Sequence, residues 1–129
     1  MSHITTLEIE IRDLTALRAA CARLGLVFAE NQKTYRHYYG VGNCVHAVSS
    51  SKFQYEIGVI EEKNGTYKLA YDGWKSGGIE AVLGKDLGKL KQAYAAEATK
   101  IAARRRGFSI IEKLDGEGNI QILLRKESL

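Results

Sequence analysis

The chain has 129 residues, 45% hydrophobic and 26% charged, the size and composition of one globular domain spanning residues 1–129 around one core. With no run of about eighteen apolar residues to span a bilayer and no charged, apolar, small-residue leader, the expectation is a soluble cytoplasmic or organelle-matrix protein with no membrane contact. Two cysteines, Cys21 and Cys44, are too few for a disulfide framework, and the net charge of +4 is concentrated: seven Lys or Arg and two acidic residues lie between Lys85 and Arg106, leaving the rest of the chain at net −1.

Residues 2–11 alternate so that Thr5, Leu7, Ile9 and Ile11 share one face, the pattern of a half-buried strand. Asp13 then supplies an N-cap, and Leu14, Leu17, Cys21 and Leu24 make the inner stripe of a helix that stops at Gly25. Extended character resumes at Leu26, Val27 and Phe28. Residues 30–43 hold the densest aromatic cluster, Tyr35, Tyr38 and Tyr39 around Arg36 and His37, and read equally as a strand or a binding loop.

A short strand over Cys44–Ser49 precedes a hairpin whose register follows from parity. Phe53, Tyr55, Ile57 and Val59 must share the core face with Tyr67, Leu69 and Tyr71, so paired numbers must sum to an even value. A three-residue loop, Lys63-Asn64-Gly65 with Gly65 left-handed, satisfies this and pairs Val59 with Leu69 and Ile57 with Tyr71. Residues 72–84 carry glycines and the single tryptophan, Trp74. A long helix over about 86–106 follows, with Asp86 as N-cap, Gly107 as left-handed stop, and Leu87, Leu90, Tyr94, Ala98 and Ile101 as its apolar stripe. The same parity argument at the end of the chain makes Gly116-Glu117-Gly118 a loop that pairs Leu114 with Ile120 and Ile110 with Leu124.

These elements predict an α+β fold: a two-layer sandwich, mainly antiparallel β-sheet of six or more strands, with two helices packed on one face. The opposite face is then open to solvent or to a second copy, which favours a homodimer.

Catalytic signatures are absent. His37, Cys44 and His46 could approach one another, but structural zinc takes four ligands, usually in close pairs, and no second pair is present; neither a metal nor another cofactor is expected. No nucleophile elbow, Rossmann fingerprint or phosphate-binding loop occurs, and no acid and base can be paired, so the reading favours a non-enzyme. Two residue sets remain. Arg36, His37, Tyr39, Asp72 and Trp74 combine aromatic faces with guanidinium donors, as stacking and anion recognition require, although tyrosines at alternate sheet positions also simply pack. Lys85, Lys89, Lys100 and Arg104 share a helix face away from the Leu87/Tyr94/Ile101 stripe, either solvated or binding an anion or nucleic acid.

The opening Met1-Ser2-His3-Ile4-Thr5-Thr6, the Asp13-Leu14 helix with Leu24-Gly25, and Tyr55-Glu56-Ile57-Gly58 before Gly65-Thr66-Tyr67 together resemble the family called hypothetical chloroplast open reading frame thirty-five. Asp72 and Trp74, Leu90 with Tyr94, Gly107-Phe108 and Asp115-Gly116 with Ile120 continue the likeness along the chain, which departs at Gly73, where the family often has an aromatic residue. The resemblance implies a small accessory protein, stromal if plastid-encoded, with no established catalytic residues to carry over. The expectation is a non-enzymatic binding or adaptor protein with a protein partner or self-association; the alternative is a nucleic-acid or nucleotide binder.

Overall fold

Alternating side chains and glycine-closed turns produce a sheet with one helical layer in a computed structural model of the chain, which describes residues 4–126. In order, the elements are β1 (Ile4–Ile11), α1 (Leu14–Arg23), β2 (Val27–Ala29), β3 (Thr34–His37), β4 (Gly40–Asn43), β5 (His46–Ser50), β6 (Phe53–Glu61) and β7 (Tyr67–Asp72). A 3-10 turn (Lys75–Gly77), α2 (Ile79–Leu83), a second 3-10 turn (Lys85–Leu87), α3 (Gly88–Arg105), β8 (Phe108–Leu114) and β9 (Ile120–Lys126) complete the described chain. The expected strand start at Ser2 lies outside the described residues, as does the side chain of Ile9.

Five strands pair antiparallel in the order β1-β7-β6-β5-β2. This is one fewer than expected, because β3–β4 and β8–β9 each form a separate two-stranded sheet. Leu17 and Cys21 of α1 and Leu90 and Tyr94 of α3 pack in the core with Ile57, Val59, Leu69 and Tyr71 of the sheet. The fold is therefore α+β, with the two longer helices on one sheet face. Asp13 caps α1 as read from sequence, its Oδ1 accepting from the Ala16 amide at 3.1 Å. The Tyr94 hydroxyl reaches from α3 to accept the Arg12 amide at 3.0 Å, which fixes α3 against the β1–α1 junction.

Both hairpin registers follow the parity argument: Val59 faces Leu69, Leu114 faces Ile120 and Ile110 faces Leu124. Gly65 has φ 81° and Gly118 φ 84°, the left-handed values their loops require.

The start of α3 differs from its reading as an Asp86-capped helix. Asp86 (φ 54°) and Leu87 (φ 59°) are both left-handed, no side chain caps the helix, and α3 begins at Gly88. Left-handed backbone costs about 1–2 kcal/mol at Leu87, whereas an aspartate such as Asp86 visits that region more readily. Burying a leucine returns about 1.5–3 kcal/mol, and Leu87 is fully buried. Core packing thus overrides the local cap.

The expected open sheet face is also covered in part. Tyr35 of β3 lies flat over the sheet, where Gly58 and Gly42 leave room: a Cβ at either position would collide with its ring. With Ala47 and Ala70 it forms a second, smaller core on the side away from the helices.

Candidate functional site

Asp72, the last residue of β7, is completely buried and accepts two backbone amides, Tyr38 at Oδ2 (2.8 Å) and Trp74 at Oδ1 (2.9 Å). An aspartate bonding the amide two residues on is a standard turn device; here the second oxygen also captures the tip of the β3–β4 hairpin. The result is an aromatic ledge. Tyr38 and Tyr39 meet edge-on with centroids 4.9 Å apart, and Tyr38 lies 6.4 Å from Trp74. All three rings are about half exposed. Asp72 is therefore placed to shape this ledge, and both of its oxygens are engaged inside the protein.

Arg36 and His37 lie beside the ledge with internal partners of their own. The Arg36 amide donates to Glu56 Oε1 at 2.8 Å, and its guanidinium Nε donates to the Gln54 carbonyl at 2.9 Å. Gln32 donates to the other Glu56 oxygen at 3.1 Å. His37 Nδ1 accepts the Tyr39 amide at 3.2 Å. The Arg36 contacts fasten the hairpin to β6. His46 Nδ1 accepts the Asn31 amide, burial lowering its pKa, and the Cys44 thiol donates to the Gln32 carbonyl. Among the described residues no three His, Cys, Asp or Glu side chains are grouped to hold a metal.

The four basic positions part company. Lys100 is mostly covered and bridges Glu97 (2.6 Å) and Glu112 (3.0 Å), linking α3 to β8. Lys89 and Arg104 are exposed near opposite ends of α3. Lys85 belongs to the turn before α3, and with Trp74 and Lys75 it borders a cleft of about 580 Å³. The structure thereby joins two sets that the sequence kept apart.

The surface that sequence reasoning missed is the outer face of β8–β9. In this register Ile111 stands opposite Leu123, flanked along the strands by Lys113 and Arg125. Ile111 is 50% and Leu123 48% exposed, and Leu114 and Leu124, on the opposite face of the hairpin, are exposed as well. The signal was present: Phe108, Ile110, Glu112, Leu114, Ile120, Ile122 and Leu124 share one face, and Ile111 and Leu123 are left on the other. A two-stranded hairpin lying along one helix can bury only one of them.

Over residues 20–123 the chain matches the family described as protein of unknown function (DUF1257), and it belongs to that family. It is also 26% identical over 129 residues to a protein titled "Uncharacterized protein ycf35" from Cyanophora paradoxa, covering 98% of both chains. This agrees with the family resemblance read from the sequence. No solved structure matches.

Proposed function

We propose that this DUF1257 member is a small non-enzymatic binding or adaptor protein whose β8–β9 hairpin docks onto an acidic protein partner. The observation that carries the reading is the exposed Ile111/Leu123 pair, whose two side chains stand directly opposite each other on the outer face of the hairpin. Apolar side chains clustered on one element, rather than scattered singly, mark an interaction surface. Their flanks select the partner. Lys113 and Arg125 bracket the pair, and Arg104, Arg105 and Arg106 end the neighbouring helix. Two copies meeting through this face about a two-fold axis would set like charges together, whereas an apolar patch rimmed by Asp and Glu complements it. The engaged states of Asp72, Arg36 and His37 support binding over catalysis.

The test is affinity capture from the protein's own cells with wild type, an Ile111→Ser/Leu123→Ser variant and a Lys113→Gln/Arg125→Gln variant. The expected result is an acidic protein retained by wild type, weakened by both variants and released by salt. Sedimentation runs beside it: a dimer abolished by the same substitutions would replace the partner with a second copy. Capture indifferent to both variants would overturn the reading.

A further inference from the structure

The cleft beside Trp74 is separate from the hairpin surface and has a chemistry of its own. At about 580 Å³ it falls within the size range of small-molecule sites. The Trp74 indole forms part of its wall, Gly78 and Ala81 add little bulk, and Lys75 and Lys85 border it. Both lysines are exposed, and Trp74 is about half exposed.

Lys75 and Lys85 line the same cleft because the chain turns between them, at the positive-φ glycines Gly78 and Gly84 on either side of α2. The left-handed Asp86 and Leu87 follow Lys85, and Glu80 holds that turn. Glu80 Oε2 accepts the Asp86 amide at 3.0 Å and the Tyr71 hydroxyl at 2.6 Å, and these two donors lower its pKa. The one carboxylate lining the cleft is thus engaged with the protein's own donors and also feels the charge of Lys85, while two lysines line the same cleft. Net charge at the cleft is positive. Its apolar surface includes a face suited to a flat ring, and ring stacking combined with charge-assisted bonds is the recognition that an aromatic anion satisfies.

We infer that this cleft binds a small planar anion, its ring stacked on Trp74 and its phosphate or carboxylate held between Lys75 and Lys85. A nucleoside monophosphate and an aromatic carboxylate share that chemistry. Glu80 is a positioning residue, ordering the turn that carries Lys85.

Because Trp74 is the single tryptophan, intrinsic fluorescence reports on this cleft directly. The full chain is titrated with adenosine monophosphate, benzoate, adenosine and inorganic phosphate, and calorimetry repeats each arm. Saturable quenching by adenosine monophosphate or benzoate is expected; whichever binds more tightly identifies the source of the anion. Adenosine, lacking the anion, and phosphate, lacking the ring, should each bind about tenfold more weakly, a difference of about 1.4 kcal/mol. Lys75→Gln/Lys85→Gln should weaken binding by at least a similar factor with an unchanged melting temperature, and Trp74→Leu should remove the calorimetric heat. The inference is overturned if neither ring-bearing anion binds by about 10 mM, a threshold already weaker than the millimolar range. It is equally overturned if phosphate alone binds as tightly as the nucleotide, or if the lysine variant binds like wild type.

Discussion

Arg23 of α1 and Glu112 of β8 are joined by two parallel bonds, Nη1 to Oε1 at 2.6 Å and Nη2 to Oε2 at 2.8 Å. Lys100 adds a third donor, and the three together hold the Glu112 carboxyl at about 2, below its ordinary 4.5. Since the folded value lies below the unfolded one, this contribution is complete above about pH 4.5 and is lost as pH falls toward about 2. Glu112→Gln should lower stability at neutral pH by about 1 kcal/mol, because the pair is bidentate but reached by solvent. Melting curves across that window should also show a flatter acid slope for the variant; an identical slope would remove Glu112 from the acid response.

Tyr35 and Gly58 supply a second test. Gly58→Ala places a methyl group against the Tyr35 ring and should destabilise by about 1–3 kcal/mol, the usual cost of overpacking. In a Tyr35→Ala background the same change should cost much less, because the obstruction is gone. Urea denaturation of the four proteins measures the coupling, and simple additivity would contradict the packing described.

At Gly65 the effect is conformational instead. An added Cβ meets nothing within 4 Å, and φ is +81°, so Gly65→Ala should cost on the order of 1 kcal/mol through backbone strain alone. A melting temperature equal to wild type would count against the left-handed turn.

The basic residues of α3 should separate by role. Lys100→Gln should reduce stability by roughly 0.5–1 kcal/mol by releasing Glu97 and Glu112, while Lys89→Gln and Arg104→Gln leave it unchanged. If the exposed pair contacts a nucleic-acid backbone, their replacement should weaken binding and flatten its salt dependence by about one unit per lost phosphate contact. Anisotropy titrations of single- and double-stranded DNA and RNA at two salt concentrations decide it, and an absence of binding at low salt removes that use of the helix.

Thiol labelling addresses the cysteines. Burial pushes the Cys21 thiol up to about 12, so it should resist alkylation until the protein unfolds, whereas the partly exposed Cys44 should react first. Mass spectrometry of partially labelled native protein reads the order directly.

The legible parts of the fold were those set by nearby residues. Asp13 and Gly25 bound α1 by chemistry contained within a turn, and hairpin parity needed only the alternation around Gly65 and Gly118. Asp86 misled because the decisive energy belongs to Leu87, whose burial depends on distant strands. Glu97, three residues before Lys100 on α3, is a local partner; Lys100 still looked like a surface cation because its second partner, Glu112, lies on another element and comes into reach only when β8 lies along α3. Tyr38 and Tyr39 are neighbours in sequence, but the engagement of Asp72 with the Tyr38 amide spans 34 residues. Lys85 joined Trp74 through the turns at Gly78 and Gly84, and the left-handed Asp86 and Leu87 set it apart from the regular helix to which periodicity had assigned it.

Ala29 and Ala47 are directly paired across β2 and β5, and Val45 and His46 are already joined to Val59 of β6, so residues 30–44 leave the five-stranded ladder and return to a nearby point. Topologically, residues 30–44 are an excursion whose ends lie close together, and a short turn of the kind that closes ordinary hairpins could bridge them. The sheet beneath bears the imprint of that excursion: Gly58, Ala47 and Ala70 are too small to cover themselves and are suited to lying under Tyr35. Shortening the segment would therefore preserve every rung of the main ladder while baring a shallow patch of backbone. The β3–β4 hairpin serves as a fitted cover, separable in connectivity and matched in shape.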